Sequence, residues 1–428
     1  MPASSQPTVT DSVVRDVTCP FCGLACDDLV VDTAGERLAV RENGCPIAVP
    51  AFAGAPGRGT ARVGGREVPL AEAYAEAARL LRAARAPLFG GLGTDVHGSR
   101  AVGRLADRTG GTLDHMNSAA VVRNLLVLQD GGWITTTLSE IRNRCDLLVA
   151  VGGDILSRFP RFFERTLGAS DTLFGERTPA EIIFLGKGPA GGVKLPGPVR
   201  VIPCDTARLG EALGALRALV AGKPVLAAEI AGQPLATWQE LAGRLRAAKY
   251  GVMPWATADM DVPHADLMVQ ALADLLRELN RETRFAGLPL GGAEGDITSD
   301  AVHLWQTGYG TRVSFARGVP EQDLHRFAAP RLLAEGAADL LLWISSFNPA
   351  RLPPATAVPT IVLGHAAMTF ATPPAVFIPV GTPGVDHGGQ FFRTDRVIAL
   401  PLAGLRSTSL PSVADALAAI ETGLGEAR

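Results

Sequence analysis

The stretch Thr18-Cys-Pro-Phe-Cys-Gly-Leu-Ala-Cys-Asp-Asp-Leu-Val-Val31, with Cys45 after eighteen residues beyond Cys26, decides the reading of this chain. Cys19, Cys22, Cys26 and Cys45 are four of only six cysteines and follow the spacing C-x2-C-x3-C-x18-C. Three thiolates in one tight loop, joined by a fourth from a short excursion, can surround a [4Fe–4S] cluster. The same set can hold a tetrahedral zinc ion. Pro20, Gly23 and Pro46 favour turns, which lets closely spaced sulfurs converge. Two disulfides, or four unrelated buried thiols, are the plain alternatives, and a degenerate site can keep its cysteines without metal.

Outward from this motif, residues 1–12 are polar and expected to fray, and 13–60 read as a small β module with strands near 13–17, 28–31 and 37–41. The pattern then changes to short apolar runs alternating with helical periodicity. Helices are expected over 70–84, 99–109, 136–143, 206–220, 235–247, 264–280 and 330–336. Strands are expected over 87–91, 146–151, 181–185, 199–203, 250–255, 283–288, 339–345, 360–363 and 375–379. This alternation predicts an α/β protein: the N-terminal four-cysteine β module (1–60), then two doubly wound α/β domains, 61–234 and 235–428.

The 428 residues suffice for two or three lobes with cores of their own. Apolar residues make up 47% and charged residues 19%, an ordinary globular balance. A net charge of −3 gives no pull toward nucleic acid or an anionic membrane. Only four of the 40 basic residues are lysines, which suggests coding bias rather than a functional basic surface. The N-terminus has neither a basic nor an apolar signal region, and the longest apolar runs are far too short to span a bilayer. A cytoplasmic protein is expected, where cysteines are more often ligands than disulfides.

A four-cysteine head before α/β domains resembles the molybdopterin oxidoreductases, and several segments in order resemble the B subunit of formylmethanofuran dehydrogenase. They are the head Thr18-CPFCGLACDDLVV; Gln129-Asp-Gly-Gly, then Asn143-Arg-Cys-Asp before LLVAVGGD; Ser157-RFPRFFER; Trp305-QTGYGTRVSFARGVP; and Thr382-PGVDHGGQFFRTDRV. One departure outweighs these matches. That family carries a cysteine or selenocysteine ligand to molybdenum or tungsten in a C-H-G-P-like segment. Here the stretch reads Asn117-SAAVVRNLLVLQ and contains no cysteine. Cys145 and Cys204 read as small buried residues, and Ser118 as a helix cap.

Oxidising formate or a formamide needs the two-electron acceptor that the metal supplies. Without its ligand, the resemblance points to the B subunit of the bacterial formyltransferase/hydrolase complex. It implies a structural subunit with no functional molybdopterin or tungstopterin. The implied partners are a zinc-dependent formyl-hydrolase A subunit, a C subunit and a formyltransferase subunit, with a methanofuran-like carrier on those partners. An active molybdenum or tungsten dehydrogenase subunit and an iron–sulfur electron-transfer subunit are the alternatives.

The resemblance also marks Gly152, Gly153, Asp154, Arg161, His387, Gly388, Gly389 and Arg393 as inherited pterin contacts, expected to stand without cofactor. Gly152-Gly153-Asp154 closes an expected strand, where open sheets place ligands, but it is not G-x-G-x-x-G. Gly90-Gly91-Leu92-Gly93 has the same standing. Arg158, Arg161 and Arg165 read as a solvated or intersubunit face rather than a phosphate site. Arg123, Phe391 and Phe392 are expected to fill the space the pterin would take. The seven histidines are scattered without a zinc-type pairing, and no nucleophile elbow or P-loop is present.

Overall fold

Four apolar runs, Pro87–Gly93, Leu340–Ser345, Thr360–His365 and Val376–Val380, are almost wholly buried and lie side by side as parallel strands. Burial on both faces explains why these runs read as continuous rather than alternating. The computed structural model describes residues 12–57, 59–176, 178–189 and 193–425. The residues expected to fray lie, apart from Ser12, outside that set.

The chain divides into two units. The first comprises Met1–Met116, Gly292–Arg393 and Ala399–Arg428. Thr112–His115 extends its sheet as a fifth parallel strand, and two antiparallel pairs, Val313–Ser314 with Glu321–Gln322 and Arg62–Val63 with Arg66–Glu67, form the two edges. On one face, Phe89, Leu342, Ile361 and Ile378 pack with Ala77, Leu105 and Leu417 from the helices Leu70–Ala83, Val96–Thr109 and Val413–Gly423. On the other, Leu88, Leu341, Val362 and Phe377 pack with Met368 and the helix Ala329–Ala334. The period of two along each strand sorts these side chains between faces. The β module is observed as the antiparallel sheet Val13–Val17, Leu29–Asp32, Ala39–Glu42.

The second unit, Asn117–Gly291 with Thr394–Ile398, holds a five-stranded sheet. Its order is Val199–Ile202, Glu181–Gly186, Leu147–Gly152, Gly251–Trp255, Phe285–Pro289, every pairing parallel. In chain order this is 3-2-1-4-5, the doubly wound arrangement, whose switch point lies between Leu147–Gly152 and Gly251–Trp255.

The expected boundary at 234/235 is therefore corrected. Residues 251–255 pair directly with 147–152, so the second unit is one insertion between strands of the first. Parallel neighbours accept a connection of any length above a crossover's minimum, so Pro87–Gly93 pairs with Leu340–Ser345 across the whole insertion. Alternation along the sequence reveals elements but not which strands become neighbours.

Candidate functional site

The cysteine loop closes on itself: Cys19 N–H donates to Cys26 O at 2.8 Å, and Ala25 N–H to Cys22 O at 3.1 Å. Cys45 opens the short helix Ala48–Phe52, where the Ala48 amide donates to its Sγ at 3.3 Å. Cys19, Cys22 and Cys26 are buried. Phe21, between two of them, meets Phe52 edge-on at 5.1 Å. Burial pushes the Cys22 thiol up to about 12, and the Cys26 and Cys45 sulfurs add to the rise. Burial raises Cys19 as well, with Cys22 the foremost of its thiol neighbours. Cys22, Cys26 and Cys45 thus all act on the Cys19 thiol. The donor chemistry suits iron–sulfur or zinc. Yet among the described residues no group of three or more His, Cys, Asp or Glu is arranged to hold a metal ion.

At the switch point of the second unit the strand Leu147–Gly152 turns through Gly152-Gly153-Asp154. The Asp154 carboxylate accepts the amides of Leu156 and Ser157 at 3.1 and 3.3 Å. The turn after Gly251–Trp255 brings Asp259 so close that a Cβ on Gly153 would lie 2.1 Å from its Oδ2. Arg158 holds the other oxygen, with Nε and Nη2 both at 2.6 Å. Arg123 reaches the same turn, donating to Thr257 O and pairing with Asp261 Oδ1, each at 2.6 Å. Its neighbour Asn124 accepts from Trp255 Nε1 at 2.9 Å. These side chains project from the helix Ser118–Asp130, formed by the cysteine-free stretch. Arg161 departs from the expected solvated face: it is buried and bound to Glu164.

In the first unit the segment containing His387-Gly388-Gly389 forms a tight turn. Thr382 N–H donates to Asp386 Oδ2 at 2.8 Å, and Arg406 Nε to Asp386 Oδ1 at 2.6 Å. His387 Nδ1 sits 2.7 Å from Gly388 O. The strand Gly389–Phe392 follows, and Arg393 comes directly after it. A Cβ on Gly389 would lie 2.5 Å from Asp95 Oδ2, while Asp95 Oδ1 caps the helix Val96–Thr109 through Gly98 N–H at 3.0 Å. Phe391 is fully buried beside Phe347, and Phe392 meets Trp305 edge-on at 5.7 Å.

The sequence reading missed a buried polar cluster in the first unit. His115 Nε2 lies 3.1 Å from Asp300 Oδ1, and His303 Nδ1 lies 3.3 Å from Ser299 Oγ. Asp114, Asp296 and Arg312 are buried as well, with Asp114 and Arg312 3.5 Å apart. Ser299, Asp300 and His303 share a helix at i, i+1 and i+4, and Asp-x-x-His was the available signal. The cluster thus sets the buried Ser299 hydroxyl beside His303 and the buried Asp300 carboxylate beside His115. A cavity of about 520 Å³ borders the cysteine loop, lined by Phe21, Ile47, Phe347, Pro349 and His365 among others.

The stretch 117–129 carries no thiol, and the carboxylates of Asp259 and Asp95 stand against Gly153 and Gly389.

No family model matches the sequence. The chain is 32% identical over 331 residues to the B subunit of the formyltransferase/hydrolase complex of Methylorubrum extorquens, covering 75% of this chain and 84% of that protein. It is 26% identical over 412 residues to the B subunit of a tungsten-containing formylmethanofuran dehydrogenase 2 of Methanocaldococcus jannaschii, covering 90% and 92%. Among solved structures it is similar to a chain of the Methylorubrum extorquens complex bound to methylofuran, with a TM-score of 0.71 and 29% identity over 85% of this chain and 98% of that one. Acetylene hydratase from Pelobacter acetylenicus shares the fold, with a TM-score of 0.62 at 10% identity over 96% of this chain and 69% of that one.

Proposed function

We propose that this chain, which belongs to the formylmethanofuran dehydrogenase B-subunit family that includes the B subunit of the formyltransferase/hydrolase complex, is a non-catalytic scaffold in such a complex. The single observation that carries this is the stretch 117–129. Where the family resemblance places the metal ligand, this chain has the helix Ser118–Asp130 with no sulfur on it. Formyl groups would then leave as formate by hydrolysis on partner subunits, in tetrahydromethanopterin- and methanofuran-linked one-carbon metabolism. The proposed partners are a zinc-dependent hydrolase A subunit, a C subunit and a formyltransferase subunit. The working site is cytoplasmic; among the described residues no helix is long and apolar enough to cross a membrane.

Metal analysis of the anaerobically purified complex tests the reading. The expected result is no molybdenum, tungsten or pterin, and a stoichiometric amount of either metal overturns it. A second reading, an iron–sulfur electron-transfer subunit, draws support from the three buried thiols of one loop, Cys19, Cys22 and Cys26, with Cys45 spaced to join them. Under it the anaerobic complex is brown, with thiolate-to-iron absorption near roughly 400 nm. Zinc or reduced thiols leave it colourless.

A further inference from the structure

In a 3-2-1-4-5 sheet the ligand crevice opens outside the carboxyl ends of the first and fourth strands, and the turn after the first strand lets backbone approach a phosphate. Here those ends are Gly152-Gly153-Asp154 and Ala256–Met260. We propose that Asp259 is the built-in occupant of this crevice, and that Gly153 is glycine to admit that carboxylate rather than a bound phosphate.

Four observations support it. The would-be Cβ of Gly153 meets three Asp259 atoms, the nearest at 2.1 Å and the others at 2.4 Å. Such a distance leaves no layer for a ligand between turn and carboxylate. Arg158, the residue nearest in sequence that could neutralise a phosphate, is spent on Asp259 Oδ1. The amides after the turn are already capped by Asp154 itself. Met260 is buried, and its methyl lies 3.4 Å from the would-be Cβ of Gly152, sealing the floor. A phosphate would have to displace a clamped carboxylate and face its like charge at close range. The first unit repeats the device, with Asp95 against Gly389. The inference stands on the second unit's own geometry, whatever complex the chain serves.

The test is a double-substitution cycle on the full chain, read by thermal unfolding. Gly153→Ala is expected to lower the melting temperature by several degrees in the native background, because the methyl and the Asp259 carboxylate need the same space. In an Asp259→Ala background the same change is neutral. Asp259→Asn keeps the side chain's size, so Gly153→Ala remains costly there. Sodium pyrophosphate or guanosine diphosphate leaves the native melting temperature unchanged. A Gly153→Ala chain as stable as native overturns the proposal, as does an equal loss in native and Asp259→Ala backgrounds. Saturable stabilisation of the native chain by either ligand overturns it too. If Asp259→Ala does not fold, Asp259→Ser takes its place in the cycle, read by the same outcomes.

Discussion

His115 and His303 face one carboxylate, Asp300, and are driven in opposite directions. Burial holds His303 down at about 4, and Asp300 does not offset this, while the neighbouring His115 adds to the fall. For His115 burial alone would also lower the value, but Asp300, Asp296 and Asp114 together outweigh it and raise the group above its usual range. The signs follow by linkage. His303 is neutral in the fold, so its contribution is complete above the unfolded value of 6.5 and is lost as pH falls from 6.5 toward about 4. His115 contributes fully below its unfolded value, and that share fades as pH rises through its raised one. A shift of this size corresponds to a loss on the order of 3 kcal/mol at the acid end, from about 1.4 kcal/mol per pH unit. Between pH 7 and 4.5 the native chain should therefore lose more denaturant resistance than His303→Gln, whose amide does not titrate. Parallel pH profiles for the two would remove His303 from this role.

The turn 256–261 and the helix Ser118–Asp130 form a second testable unit. Asp261 is 89% exposed, so its ion pair with Arg123 contributes little. The charged hydrogen bond from Arg123 to Thr257 O matters more, and losing it costs about 1.5–3 kcal/mol. Arg123→Ala should lower the unfolding midpoint accordingly. Arg123→Lys should recover only part, since one ammonium reaches both acceptors poorly. An Arg123→Ala midpoint equal to native would show the clamp to be idle. Elements of this kind were legible to different degrees. The strands Leu147–Gly152 and Leu340–Ser345 announce themselves as apolar runs because both sheet faces are covered. The helix Asp296–Thr307 did not, because Asp296, Thr298, Ser299, Asp300 and His303 are buried along with Ile297 and Val302, which breaks the usual apolar pattern. Val413–Gly423 was overlooked although Ser412 and Asp415 form a capping box that the sequence displays. At the candidate site, the glycine turns were readable as glycines. That Asp259 and Asp95 face them is a product of tertiary pairing, which no local spacing encodes.

At the scale of the whole chain, the insertion of 117–291 between neighbouring strands has a consequence for dissection. Thr394 Oγ1 accepts from Gly291 N–H at 3.0 Å, and Asp395 Oδ2 from Leu138 N–H at 3.0 Å, so the second unit borrows a short return segment. Residues 117–291 alone should fold with native-like helical and strand circular dichroism but melt below the full chain. An unfolded fragment would show that the unit depends on more than those two bonds. Large apolar side chains also stand in solvent: Leu173 is 84% exposed, Phe174 66% and Trp305 56%. Aromatic and aliphatic side chains displayed this way anchor protein interfaces. Such anchors suit a chain that holds other subunits. We therefore expect an obligate-type interface with a metal-dependent hydrolase subunit, burying on the order of 2,000 Å² or more. The isolated chain should neither oxidise formate nor hydrolyse formyl carriers. Replacing Leu173 and Phe174 together by serine should weaken co-purification of partners while leaving the chain folded by circular dichroism. Removing the chain should loosen the complex without altering chemistry at the surviving active sites. A monomeric, stable preparation that reduces a viologen dye with formate or formylmethanofuran would decide for an active dehydrogenase instead, since that reaction needs the two-electron acceptor the stretch 117–129 has no sulfur to hold.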